Sequence, residues 1–364
     1  MNFDFNDEQK MLRDQARRFL QDACTPAMLR TLIDTPDSHF VQDLWQQVVE
    51  LGWTAIAVPE NHGGLGLGTL ELAVLAEEFG RAIAPLPFLP TAVIAPSLLS
   101  RSQSEAAQNL LTHICTGEAV VAVAGLDSAL TPLTLQDNKV SGEVTVPFGS
   151  MANAWLATVR TVNGLTLVVI DPASAGVQCT PVAGIDELVP LTCVELNAVP
   201  ATVLLQGRAA EIAWDQARLQ AAVICAFEQL GSSEKSIELA RDYALERFTF
   251  GRPIGAYQAV KHRLADMAVK VELARSNAWY GAWALTNDSP DLPMAAAAAR
   301  ISALDAHEYA VTESLHLHGG IGYTWEADCH LHYKRARILA LALGDAGEWS
   351  EQLLKAASQL PTHA

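Results

Sequence analysis

The stretch Tyr243-Ala244-Leu245-Glu246-Arg247-Phe248-Thr249-Phe250-Gly251-Arg252-Pro253-Ile254-Gly255, followed by Gln258 and Leu264-Ala265-Asp266-Met267, decides how the last third of the chain folds. Upstream of it no proline occurs between Trp214 and Gly251, and downstream the next conspicuous break is Asn287 to Pro293. Long amphipathic segments with only these two breaks form the pattern of an antiparallel helix bundle. At the break itself, an arginine at a helix end beside an aromatic and a glycine turn can neutralise a pyrophosphate while backbone amides approach it. A helix C-terminus with a favourable dipole partner and a glycine stop accounts for the same residues. A second glycine-rich break, His316-Leu317-His318-Gly319-Gly320-Ile321-Gly322-Tyr323-Thr324-Trp325-Glu326, divides one helix from the next. Its paired glycines leave backbone open to a phosphate or ribose, and a plain tight turn explains them equally well.

Moving toward the N-terminus, the period changes. Short β-rich runs such as Val120 to Ala124, Thr166 to Ile170 and Thr202 to Leu205, separated by turn clusters like Asp137-Asn138-Lys139, predict a small sandwich or barrel over about 117–207. Before it the pattern is helical again. Asn6 with Gln9 three residues later reads as a reciprocal cap, and Leu12, Ala16, Phe19 and Leu20 form one apolar stripe. Further helices are expected near Val41 to Leu51, stopping at Gly52, and from Thr69 to Gly80 after the loop His62 to Gly66, with prolines 85, 87, 90 and 96 preceding a last short helix. The expected organisation is an α+β multidomain chain: an α-helical domain over 1–116, a middle β domain over 117–207 and a helical bundle over 208–364.

Composition agrees with a folded chain of two or three domains: 364 residues, half of them apolar and 18% charged. The 41 acidic and 24 basic residues leave a net charge of −17, which disfavours phosphate backbones and anionic lipid surfaces. No apolar run reaches the ~18 residues of a bilayer span, and Met1 to Asp7 carries no basic leader. Six scattered cysteines without a C-x-x-C pair read as reduced core residues, so a cytoplasmic location is expected. His316-x-His318 and His330-x-His332 are poor metal pairs, because helical positions two apart face about 200° apart. No Gly-x-Ser-x-Gly elbow or strand-borne Gly-x-Gly-x-x-Gly supports serine hydrolase or Rossmann chemistry.

Taken together, the motifs resemble the acyl-CoA dehydrogenase family nearly end to end. Leu51-Gly52-Trp53, Val58-Pro59-Glu60, His62-Gly63-Gly64-Leu65-Gly66 and Glu77-Glu78-Phe79-Gly80-Arg81 are similar to its N-terminal signature. The Arg247 to Gly255 and His318 to Glu326 segments are similar to its two C-terminal flavin-contacting elements. The resemblance implies an α-domain, a β-barrel and a four-helix bundle, with FAD lying between subunits. It implies contacts to the flavin's ADP end from Arg247, Thr249, Phe250, Tyr257, Gln258, His316, Leu317, His318, Gly319 and Gly320. It also implies an acyl-CoA substrate that loses its α-proton to a glutamate while hydride leaves for the flavin, and electron-transfer flavoprotein as the acceptor.

Three departures qualify the resemblance. After Lys334-Arg335-Ala336-Arg337-Ile338 the family presents Glu-Gly-Thr, whereas this chain reads Leu343-Gly344-Asp345, and leucine cannot accept a proton. The alternative base position on the first long C-terminal helix falls on Ala221, followed by Ala222. The flavin-ring loop and strand are degraded around Val123-Ala124-Gly125-Leu126-Asp127-Ser128 and Val146-Pro147-Phe148-Gly149, and His316 stands where glutamine is usual. Residues serving a neighbour's flavin persist while those serving the chain's own are lost, as expected of the non-base-bearing subunit of an α2β2 enzyme like those acting on steroid side chains. A self-sufficient homotetramer would need a displaced base, for which Glu228, two turns beyond Ala221 in an apolar surround, and Asp345 are the candidates. A catalytically inactive assembly or binding protein would keep the fold without the reaction.

Overall fold

The structure, a computed structural model, describes residues 5–35, 40–125 and 133–358. Its first helix, α1 (Asp7–Ala23), begins where the sequence predicts: the Asn6 side chain accepts from the Gln9 amide at 2.8 Å and the Gln9 side chain accepts from the Asn6 amide at 3.0 Å. Thr25 caps α2 (Pro26–Asp34), whose proline sits in the first turn. Helix α3 (Phe40–Glu50) is followed by Gly52 at φ +74°, the left-handed stop read from the sequence. Helix α4 (Thr69–Arg81) is buried from Leu72 to Gly80, and the prolines after it give a widened helical turn at Leu89–Ile94, then α5 (Ala95–Leu99) and α6 (Glu105–Thr116). One short helix was expected there, and two are present.

Among the described residues, seven strands form the middle region: β1 (Val121–Ala124), β2 (Thr134–Gln136), β3 (Lys139–Pro147), β4 (Ala154–Thr161), β5 (Gly164–Ile170), β6 (Val177–Val182) and β7 (Leu191–Gln206). Their order is β1-β4-β5-β7-β3-β2, with β6 also on β7. The 16-residue β7 carries β3 and β6 along its first half and β5 along its second, so one long strand wraps the sheet around Trp155, Val140, Val168 and Val194. Asp137 and Asn138, both at positive φ, make the two-residue turn joining β2 to β3.

The C-terminal region consists of α7 (Arg208–Glu246), the two-residue strands β8 (Phe248–Thr249) and β9 (Arg252–Pro253), then α8 (Gln258–Thr286), α9 (Leu292–His318), α10 (Cys329–Leu341) and α11 (Ala346–Ser358). Helices α7 to α10 pack as a bundle and α11 lies on α9. Ala295, Ala296, Ala297 and Ala299 are fully buried, which brings α9 close to its neighbours. Among the described residues no helix is long and apolar enough to cross a membrane.

Helices α4 and α7 cross in backbone contact. A Cβ on Gly80 would lie 1.8 Å from the Glu228 carbonyl oxygen, and one on Gly231 would lie 1.8 Å from that of Glu77. Ion pairs flank this crossing: Arg17 binds Glu78 at 2.6 and 2.9 Å, and Arg275 spans Glu77 and Glu234. Farther along the bundle, the Ser232 hydroxyl lies between His332 Nδ1 at 2.8 Å and His307 Nε2 at 2.9 Å, joining α10, α7 and α9.

Burial pushes both imidazoles down to about 3. Because the unfolded chain binds those protons near pH 6.5 and the folded chain does not, stability is lost as pH falls from that value toward 3. Unfolding free energies from urea titration are therefore expected to drop between pH 7 and 4.5, by roughly 2–3 kcal/mol per imidazole, with a lower midpoint. Equal midpoints at the two pH values would show that these histidines are not buried neutral.

Candidate active site and cofactor site

A cleft of about 280 Å³ opens where three parts of the chain meet. Phe79, Leu86 and Phe88 come from α4 and the loop after it, Val123, Gly125, Pro147 and Phe148 from the β region, Glu228 from α7, and Arg335, Ile338 and Leu339 from α10. The rings of Phe79 and Phe88 stack at 4.4 Å. Phe148 is held at φ +58° by its amide, which donates to the Pro190 carbonyl at 2.7 Å. Both segments read as degraded flavin-ring elements therefore reach this wall, through Val123 and Gly125 and through Pro147 and Phe148; Leu126 to Ser128 lie outside the described residues.

Arg335 fastens the walls to one another. Its Nε donates to Asp186 at 2.6 Å, Nη1 to the Ala84 carbonyl at 3.2 Å and Nη2 to the Ile83 carbonyl at 3.3 Å. Glu228 sits 3.8 Å from Nη1 with its side chain 14% exposed, and burial pushes its carboxyl above the usual carboxylate range, against the opposing pull of Arg335 and Arg300. Sequence reasoning found Glu228 but not the Arg335–Asp186 pair, since Lys334-Arg335-Ala336-Arg337 resembles an ordinary solvated basic run.

The position expected to hold a base is sealed. Leu343 is fully buried among Trp349, Leu339 and Ala221, and its carbonyl accepts from Trp349 Nε1 at 3.1 Å and from Arg218 at 3.4 Å. Ala221 and Ala222 are likewise buried. The Asp345 carboxylate accepts from the Glu348 amide at 2.9 Å at the start of α11, in an exposed position off the cleft wall. Glu228 is thus the candidate carboxylate that lines the cleft. Restoring glutamate by Leu343→Glu is expected to lower stability by about 3 kcal/mol, through burial of an unpaired carboxyl, and to create no activity. A melting curve together with an acyl-CoA oxidation assay checks both halves.

The other candidate residues gather at the far end of the bundle. There Phe250, at φ +47° and 93% exposed, and Gly251 turn β8 into β9, and the Ile254 amide donates to the Arg247 carbonyl at 2.8 Å. The Tyr257 hydroxyl donates to the Thr249 carbonyl at 3.1 Å while the Arg252 guanidinium lies 4.0 Å above the Tyr257 ring. The side chains of Arg247, Thr249 and Gln258 are exposed. His318 is buried, stacked on Tyr243 at 4.5 Å with Nδ1 donating to the Ser314 carbonyl, and this stack ties the end of α9 to the end of α7. Leu317 packs on the small core of Ala240, Met267 and Ala310, and His316 is exposed 3.6 Å from Glu313.

Gly319 adopts φ +66°, ψ −141°, a conformation open to glycine alone. A Cβ at Gly319 or Gly320 would meet nothing within 4 Å. No neighbouring packing within the chain demands either glycine, so backbone is left bare toward open space. Arg247 follows Glu228 by 19 residues, which along a helix is about 28 Å. The chain's own cleft and this exposed end are therefore far apart. Among the described residues no three His, Cys, Asp or Glu side chains converge as a metal site.

Comparison with known proteins settles the family. Residues 6–118 match the acyl-CoA dehydrogenase N-terminal domain and residues 213–352 its C-terminal domain. Acyl-CoA dehydrogenase IpdE2 of Mycobacterium tuberculosis is 30% identical over 331 residues, 91% of each chain. The chain belongs to the acyl-CoA dehydrogenase family. Among solved structures, the ChsE4-ChsE5 complex from Mycobacterium tuberculosis superposes with a TM-score of 0.90 at 26% identity over 100% of both chains. A variant of the Tcur3481-Tcur3483 steroid acyl-CoA dehydrogenase gives 0.87 at 28% identity, covering 97% of this chain and 98% of that one. Enzymes of this family are oxidoreductases acting on acyl-CoA thioesters and in general depend on FAD.

Proposed function

We propose that this chain is the non-base-bearing subunit of an FAD-dependent acyl-CoA dehydrogenase that introduces an α,β double bond. Its exposed bundle end would hold the ADP portion of a flavin whose ring rests on a base-bearing homologue, in an α2β2 assembly. The observation that carries this reading is a contrast within one chain. Leu343 fills the base position as a bonded core residue, while Gly319 and Gly320 keep a bare backbone cradle beside an exposed end bearing Arg247 and Gln258. Similarity to two proteins whose structures are of paired chains, one of them a steroid acyl-CoA dehydrogenase, supports a hetero-oligomer and a bulky acyl group.

FAD would supply the hydride acceptor. This chain's part is to bind and orient: Arg247 to neutralise the pyrophosphate, Gln258 and His316 to hydrogen-bond the nucleotide end, and the amides at Gly319 and Gly320 to approach it. Electron-transfer flavoprotein is the acceptor this reading implies. In the assembled complex, Arg247→Ala is expected to weaken FAD retention about tenfold or more, measured as flavin lost on gel filtration. Unchanged flavin content would remove Arg247 from the site.

A second reading has its own observation. Glu228 is a carboxyl in an apolar cleft with its proton affinity raised by burial, the state in which a displaced base could work in a self-sufficient homotetramer. Glu228→Gln decides it: a homomer whose turnover survives that change does not use Glu228 as its base.

A further inference from the structure

A second cavity, of about 230 Å³, lies between α1, α2, the end of α4, α7 and α10, and no part of the proposed reaction uses it. Leu20, Leu29, Ile83, Leu239 and Leu331 give it apolar walls. His332, 4% exposed, also lines it. With Nδ1 bonded to Ser232, the ring has Nε2 left to present, and that nitrogen has no hydrogen-bond partner among the described residues. Its protonation is set from the far end of the same chain of bonds. His307 Nδ1 is buried without a partner, and the guanidinium groups of Arg337, Arg300 and Arg335 bear on His307, so a lone pair rather than an N–H belongs there. The His307 proton is then on Nε2 and donates to Ser232, and the Ser232 hydroxyl donates to His332 Nδ1. His332 is left with its own proton on Nε2, a donor offered to the cavity.

We propose that this cavity binds a short aliphatic carboxylate, one oxygen accepting from His332 Nε2 and the charge balanced by Lys235. The carboxylates on the wall are already matched: Glu78 by Arg17 at 2.6 Å and Asp328 by Arg30. Arg81 is likewise held by Glu234 and Glu238. Lys235 is not, since its Nζ lies 3.8 Å from Glu238, too far for a hydrogen bond. Lys235, Arg335 and Arg81 are the charges that bear on His332, so its free donor sits in a positive field. That field selects an anion, and the leucines select carbon behind it. A volume below the ~300–1,000 Å³ of drug-sized ligand sites keeps the ligand short. Inorganic phosphate would meet the charge and leave the apolar walls uncovered. The proposal goes beyond the subunit reading and does not rest on it.

The test uses the complete chain, titrated with hexanoate and with 1-hexanol by ligand-observed NMR, with inorganic phosphate as competitor. Wild type is expected to bind hexanoate about tenfold more tightly than the alcohol, and phosphate is expected to displace it poorly. Lys235→Met, a change at a part-exposed side chain, brings the two affinities to within about twofold, and His332→Phe, which removes the donor, does the same. A wild-type crystal soaked in 6-bromohexanoate locates the site without any variant, and so serves if the phenylalanine variant does not fold: its bromine should lie among Leu20, Leu29 and Leu331 with the carboxylate on His332. Equal affinity for acid and alcohol, absence of hexanoate binding, phosphate that competes as well as hexanoate, a preference that survives Lys235→Met, or bromine outside the cavity overturns the proposal. No flavin, acyl-CoA or partner chain enters the test, so its failure leaves the subunit assignment standing, and failure of that assignment leaves this result intact.

Discussion

Purified without a partner, the chain is expected to oxidise acyl-CoA at least ~10²–10⁴-fold more slowly than when co-expressed with a base-bearing homologue, the usual contribution of a positioned general base. The expectation follows from the bonding at Leu343, whose side chain is core and whose carbonyl already accepts from Trp349 and Arg218. The assay is acyl-CoA-dependent bleaching of flavin absorbance, with flavin content and mass taken on the same sample. Co-expression should yield two flavins per four chains. A lone chain with one flavin per subunit and full turnover overturns the division of labour.

Gly231→Ala is expected to cost ~4 kcal/mol or more, at the upper end of single substitutions. The added carbon would lie 1.8 Å from the Glu77 carbonyl oxygen and 2.9 Å from the Arg81 amide nitrogen, and both are backbone in the last turns of the packed helix α4. Neither can turn aside as a side chain would. Relief requires α4 and α7 to separate, which opens the ion pairs of Arg81 and Arg275 with Glu234 and Glu77 and the apolar core around Phe79 and Phe227. Scanning calorimetry should show a lowered melting temperature or no cooperative transition, while Gly320→Ala, whose added carbon meets nothing, leaves the transition in place. Matching transitions for the two variants would mean that the helices are not in backbone contact.

Much of the architecture was legible because its signals are local. A reciprocal cap such as Asn6 with Gln9, a left-handed stop such as Gly52, and a positive-φ pair such as Asp137-Asn138 act within a few residues of themselves, and the structure places helix starts, helix ends and a hairpin there. The last short helix before the β region was missed as a pair, because the prolines there widen a helical turn rather than end it. Distant contacts were not legible. Gly80 read only as the end of a helix and Gly231 drew no reading, since the value of each lies in a partner backbone more than 140 residues away in sequence. The missing base was visible as a leucine, but not the two donors that bond its carbonyl. Glu228 was singled out from helical phase and its apolar neighbours in sequence, and its place on the cleft wall required α4, α10 and the β region to be folded around it.

One guanidinium connects residues 83, 84, 186 and 335, and so holds together parts of the chain drawn from its beginning, middle and end. Arg335 and Asp186 are both buried, and losing either partner alone would strand a charge at a cost of about 3–5 kcal/mol. Across descendants of this sequence, the two positions should therefore change together or not at all. A lineage that drifts to an uncharged residue at one is expected to have done so at the other, and that correlated history would be the evolutionary trace of a three-way junction.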